Sequence, residues 1–159
     1  MTEPQPPLSL NEKRNLFKLF MGDTGLLCAA CMEDVQFGIL NGDLQINMGS
    51  ILENMMAQQL KSNGFNLNYF DGKKTGEIDF VIQNGMGVDL LEVKSGNDYR
   101  SHPAMDKIRK IEGWQFGNAV VLCKDNVMQG DYYPWYMVMF LTASQPPKEM
   151  KFEIDLSAL

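Results

Sequence analysis

Asp79 is followed thirteen positions later by Glu92-Val93-Lys94, inside the run GEIDFVIQNGMGVDLLEVKSG of residues 76–96. Carboxylates are hard oxygen donors. Two of them meeting at one spot suit Mg²⁺ or Mn²⁺, ions that take oxygen ligands and keep several waters. A lysine two residues after one ligand is placed to orient or deprotonate such a water, or to neutralise a developing negative charge. Left without partners in an apolar setting, each of these charges would cost on the order of several kcal/mol. The plain alternative is a salt-bridge set on the surface of a hairpin.

The elements around these residues decide whether they meet. Glu77–Gln83 and Val88–Lys94 read as strands joined by the tight turn Asn84-Gly85-Met86-Gly87. Alternation places Ile78, Phe80 and Ile82 on one face and Glu77, Asp79 and Val81 on the other. In the next strand Leu91 and Val93 share a face, and Leu90, Glu92 and Lys94 share its opposite. A third strand over Asn66–Phe70 precedes them, joined by the turn around Asp71-Gly72-Lys73-Lys74.

Upstream, Ile51, Leu52, Met55, Met56 and Leu60 recur at helical spacing, and Asn63-Gly64 supplies a stop. Ser50 and Glu53 have capping-box spacing. Glu53 is therefore either a cap partner or a third acid for the site. Pro103 opens a helix to about Glu112, Asn118–Lys124 (NAVVLCK) is a buried-type strand, and Pro134–Leu141 is predicted as a short helix. Further upstream, residues 16–20 (LFKLF) suit a strand or a helix, a short helix follows over Gly25–Met32, and Asn41-Gly42 marks a hairpin within Gly38–Asn47. Phe152–Leu156 reads as a last strand or a tail.

The order from residue 49 is helix, three strands, helix, strand. This is an α/β arrangement with a mixed sheet flanked by helices. The division predicted is a linker or tail over 1–8, an extension packed on the core over 9–48, the core over 49–145 and a tail over 146–159.

Composition narrows the function classes. A chain of 159 residues suits one domain. Its net charge of −6 disfavours non-specific attraction to nucleic acid or anionic lipid. Against that background, Lys94, Arg100, Lys107, Arg109 and Lys110 outweigh Asp98 and Asp106 locally, a patch fit to track a phosphate backbone or simply a solvated helix face. Lys73 and Lys74 would extend it. The longest uncharged stretch, Tyr132–Pro147, is shorter than the roughly 20 apolar residues of a membrane span. No signal-peptide pattern opens the chain, and three cysteines fit a reducing, cytoplasmic setting. The pair Cys28 and Cys31 lacks the four ligands of a structural zinc site and reads as small core residues. His102 reads as a solvated loop residue. Trp114, Tyr132, Tyr133, Trp135 and Tyr136 read as closing the core, with base stacking or oligomer contacts as alternatives.

Asp79 with Glu92-Val93-Lys94, and Glu53 on the preceding helix, resembles the signature of the PD-(D/E)XK nuclease superfamily. The resemblance implies a restriction-endonuclease-like αβββαβ core, Asp79 and Glu92 as metal ligands, the Val93 carbonyl as a further ligand, Lys94 as catalytic lysine and Glu53 as auxiliary acid. More broadly, NEKRNLFKLFMGDTGLL (11–27), GSILENMMAQQL (49–60), GEIDFVI (76–82) and LLEVKSG (90–96) together resemble the domain of unknown function found C-terminal to AAA-type ATPase domains in bacterial and archaeal ATP-binding proteins. That likeness implies an ATPase domain in the full-length chain. The sequence carries no Walker A pattern, and the Pro-rich start is where the ATPase half is expected to join. The function implied is Mg²⁺- or Mn²⁺-dependent hydrolysis of nucleic-acid phosphodiester bonds, with Lys73, Lys74, Arg100, Lys107 and Lys110 on the nucleic acid. The alternative is a catalytically silent module of the same fold that binds a protein or nucleic acid and regulates the ATPase. Oligomerisation through the aromatic C-terminal segment is a third reading.

Overall fold

The computed structural model describes residues 1–143 except 2, 14, 32–40, 42–47 and 127. The hairpin expected within Gly38–Asn47 and the strand or tail at Phe152–Leu156 lie outside the described residues. Five strands form one sheet in the linear order β1 (Asn68–Gly72), β2 (Gly76–Asn84), β3 (Gly87–Val93), β4 (Ala119–Cys123) and β5 (Tyr132–Pro134). The first three are antiparallel neighbours, whereas β3, β4 and β5 run parallel. Helices α1 (Thr24–Cys31), α2 (Gly49–Ser62) and α3 (Pro103–Ile108) complete the mixed α/β architecture, with 3-10 turns at Leu8–Leu10 and Trp135–Phe140.

Two apolar layers sandwich the sheet. On one face, Met56, Ala57 and Leu60 of α2 pack on Phe80, Ile82 and Leu91. Leu52, Met56 and Leu60 are buried at steps of four, the spacing that puts one stripe of a helix against a sheet. On the other face, Met105 and Ile108 of α3 pack on Ile78, Val81 and Leu90. Residues 1–8, expected as a linker or tail, bring Met1 and Leu8 into this second layer. Every residue of β4 is buried, because the strand is central and covered on both faces.

The end of α2 follows its sequence signal. Gly64 adopts φ +90°, and the Phe65 N–H donates to the Leu60 carbonyl at 3.1 Å. That six-to-one bond, with Phe65 and Leu60 in one apolar cluster, is a Schellman closure. The start differs from expectation. The cap position is Met48, with no side-chain capping bond, and Ser50 lies inside the first turn. Glu53 is drawn elsewhere, as described below.

The largest correction concerns alternation along β2. Asn68 pairs with Val81, yet Phe70 pairs with Ile78, so β2 carries one extra residue opposite β1. A bulge of this kind puts two consecutive side chains on one face. Ile78 therefore joins Val81 in the α3-side core, while Phe80 and Ile82 face α2. Ile78, Phe80 and Ile82 do not share a face as strict alternation predicted. Glu77 and Asp79 fall on the α2 side, where Glu53 is.

Two other expectations shift. The helix from Pro103 stops at Ile108, not Glu112, and successive i→i+3 turns carry the chain through Ile111 to Gly113 at φ +84°. Residues 16–20 form neither strand nor helix. The 3-10 turn at Trp135–Phe140 matches the short helix expected there, but the strand before it, β5, had no sequence signal.

Candidate functional site

Three carboxylates meet at the bulged end of β2. Glu53 comes from the second turn of α2, and Glu77 and Asp79 flank Ile78. Oxygens of all three lie within 4.8 Å of one another. Between them sits the Lys18 ammonium, 2.6 Å from Glu53 Oε1, bonded to Glu77 and 3.9 Å from Asp79 Oδ1. This resolves the two roles open to Glu53. A charge-assisted bond to an ammonium is roughly twice as strong as a neutral capping bond, and Lys18 takes the carboxylate.

Asp79 is held from the other side by β3. Its Oδ2 accepts the Val93 N–H at 2.7 Å. The β2–β3 pairing ends at Phe80 and Leu91, so the carboxylate bridges the strands where their ladder stops. Burial above all, then the charges of Glu92 and Glu53, push the Asp79 carboxyl from 3.8 up to about 7, against the pull of the Val93 N–H and Lys18. Burial alone would lower the Lys18 pKa, but hydrogen bonds to Glu53 and Glu77 hold it above its ordinary value.

Glu92 is buried, only 8% exposed. Lys94 Nζ donates to its Oε1 at 2.9 Å, while Oε2 is buried with no hydrogen-bond partner. Orphaned buried acceptors are rare, because each forfeits its hydration without replacement. This oxygen and the Glu53–Glu77–Asp79 group are all hard donors.

The family model for Domain of unknown function (DUF4143) matches residues 48–138, a span that begins at the cap of α2 and ends in the last 3-10 turn. The chain belongs to this family. No curated protein and no solved structure matches it.

In this DUF4143 chain the sequence-derived set is brought together in part. Asp79 and Glu53 converge directly, and Glu92 acts on Asp79 through its charge. Val93 contributes its N–H to Asp79. Among the described residues no ion pair joins Lys94 to Asp79: Lys94 pairs with Glu92, and the lysine that reaches Glu53, Glu77 and Asp79 is Lys18. Lys73, Lys74, Arg100, Lys107 and Lys110 are all exposed. Lys107 Nζ lies 3.4 Å from the Lys74 carbonyl, and Arg100 stacks over Tyr99 and Tyr132. Arg109 is taken up by Asp131 and the Ala119 carbonyl. His102 is not a free loop residue: its Nε2 is 2.8 Å from the Tyr132 hydroxyl. Cys28 is a free thiol in α1 and Cys123 is buried in β4. The aromatic segment mostly closes the core: Trp135 Nε1 donates to the Lys94 carbonyl, and Tyr136 stays half exposed.

Lys18, Glu77 and Asn54 were not picked out from sequence. The signal for Lys18 is a lone cation in the apolar run Leu16–Phe20, in a chain whose buried acids need a counter-charge. Asn54 is 3% exposed on α2. Its Oδ1 accepts the Met21 N–H at 2.8 Å, and its Nδ2 donates to the Met21 carbonyl and to Thr24 Oγ1. It thereby clips the segment bearing Lys18 to the helix bearing Glu53. Asn54→Ala is expected to cost about 1–3 kcal/mol in urea unfolding, since buried donors and acceptors lose their partners. Amide exchange should rise around residues 18–24. A cost near zero would mean that Asn54 is no clip.

Proposed function

We propose that this domain is a divalent-cation-dependent nuclease module that works attached to an AAA-type ATPase. The observation that carries the reading is the convergence of Glu53, Glu77 and Asp79 on one cation position, beside a buried Glu92 oxygen without a partner. Three further features support it. The order αβββαβ is the one expected of the PD-(D/E)XK superfamily. The family match covers the core, and domains of this family generally accompany AAA-type ATPases. The exposed lysines at 73, 74, 107 and 110 suit a phosphate backbone.

The donor set fits the ion. All its members are carboxylate oxygens, the ligands preferred by Mg²⁺ and Mn²⁺, and an ammonium already occupies the place of the charge. Asp79, Glu53 and Glu77 would hold the metal, with Glu92 beside them. When bound, the ion would acidify a coordinated water and neutralise charge on a phosphate oxygen. The Val93 N–H fixes the orientation of Asp79. Lys94 pairs with Glu92 Oε1 at 2.9 Å and so fixes the position of that carboxylate. Lys74 and Lys107, adjacent on the surface, would position the polyanion.

Purified protein incubated with Mn²⁺ and single-stranded DNA, duplex DNA or RNA is expected to cleave at least one of them. Asp79→Ala and Glu92→Ala should each reduce cleavage to background. Cleavage that survives both substitutions would refute the assignment. A second reading is favoured by one observation: the cation among Glu53, Glu77 and Asp79 is Lys18, while Lys94 is paired with Glu92. On that reading the module is catalytically silent and regulates the ATPase. Mn²⁺ binding without cleavage of any substrate, with or without the ATPase domain, would select it.

A further inference from the structure

The segment carrying Lys18 is built as a strap. Residues 16–21 have no regular secondary structure, and from 17 to 21 their side chains alternate. Lys18 and Phe20 turn inward. Phe17 and Leu19 stand out in solvent at 72% and 86% exposure. Two anchors hold the strap. One is the Phe20 ring against Phe80, at 5.8 Å between centroids. The other is the pair of bonds between Met21 and Asn54. Lys18 itself adds its ion pairs to the acids and a place over the Tyr69 ring. Lys18 and Phe20 line three separate cavities, of about 300, 300 and 530 Å³. A segment with exposed apolar side chains and open space on its flanks belongs to the low-stability end of a fold.

The position of the ammonium is also specific. Carboxylate oxygens within 4.8 Å of one another span two metal–oxygen bonds of about 2.4 Å or less. One divalent ion and the Lys18 ammonium therefore compete for the same place. Glu92 offers a further hard oxygen: its Oε1 is held by Lys94, but its Oε2 is buried with no hydrogen-bond partner.

We propose that residues 16–21 form a strap that inserts Lys18 into the acidic site as a built-in counter-cation, so that a divalent ion binds only when the strap lifts. This deepens the metal-site reading above and rests on it. With the strap closed, the single positive charge of Lys18 offsets part of the charge of the three carboxylates, and the domain folds without metal. With the strap open, the same carboxylates are exposed to the ion. The apparent metal affinity is then the intrinsic affinity reduced by the open fraction.

The test is Mn²⁺ titration of the full chain by calorimetry, with far-UV circular dichroism on each variant. Lys18→Met keeps the apolar stem and removes the competing charge, and should bind Mn²⁺ at least tenfold more tightly than the unaltered protein. Phe20→Ala keeps the ammonium but frees an anchor, and should shift affinity in the same direction by less. Adding Asp79→Asn to Lys18→Met should remove the gain. If the unaltered protein binds Mn²⁺ and both single variants bind it equally or more weakly, the strap is refuted while the metal site stands. If none of the proteins binds Mn²⁺, both ideas fall.

Discussion

Asp79→Asn is expected to stabilise the metal-free protein at pH 8 while abolishing its binding of divalent cations. The reason is the cost of the native charge. The folded protein holds the Asp79 carboxyl at about 7, against 3.8 ordinarily. Between those values the folded state keeps a proton that the unfolded chain has released. Stability therefore falls as pH rises from about 4 to about 7, and levels off above. At about 1.4 kcal/mol per unit of displacement, the penalty at pH 8 is at most about 4 kcal/mol, and less in so far as the side chain keeps contact with water. Asparagine removes the charge, and its carbonyl oxygen can still accept the Val93 N–H. Lys18 keeps Glu53 and Glu77. Urea unfolding should show a higher midpoint for Asp79→Asn at pH 8, a similar midpoint near pH 4 and an unchanged slope. A variant destabilised equally at both pH values would show that the native carboxylate is not held at a cost. A carboxylate that destabilises its own fold is what a binding site requires and a structural ion pair does not.

Phe80→Ala should produce the largest loss of stability. Phe80 is 1% exposed and sits beside the bulge. It faces Met56 and Leu60 of α2 and the ring of Phe20. Removing a buried phenyl costs about 3–5 kcal/mol, through lost transfer energy and the cavity left behind. That is a large share of the roughly 5–15 kcal/mol that holds an ordinary domain. The change also removes the partner of the strap's aromatic anchor. Phe17→Ala, at a 72% exposed position, is the control and should stay within about 0.5 kcal/mol. A loss below about 1 kcal/mol for Phe80→Ala would mean that α2 does not pack on the sheet as described.

What could be read from sequence was what local chemistry specifies. The steps of four from Leu52 to Leu60, the Asn63-Gly64 stop, the turn at Gly85 and the apolar run of β4 each carry their own signal, and each element stands where it was expected. The bulge at Asp79–Phe80 carries none, because register is set by the partner strand and not by the bulged residues. Missing it put Phe80 and Ile78 on one face, and Val81 with Glu77 and Asp79 on the other. Strand β5 is three residues long and parallel to β4 across a short connection, so neither length nor alternation announces it. The strap is held by side-chain contacts of Lys18 and Phe20 and by the Met21 backbone, which have no period to detect. The acids at 53, 79 and 92 stood out in the sequence because of their spacing, and the fold brings 53 and 79 together. The cation that meets three of the site's acids did not stand out, since it arrives from a segment without regular structure. Lys94, singled out from its place on the strand, pairs with Glu92, while Lys18 had no motif to mark it.

All of this turns on whether the acids at the bulged end of β2 hold a divalent cation. Crystals of Lys18→Met grown with saturating Mn²⁺ and measured near the manganese absorption edge would test that directly. The result expected is an anomalous peak bounded by carboxylate oxygens of Glu53, Glu77 and Asp79. An ordered structure with no peak among those three side chains would contradict the account.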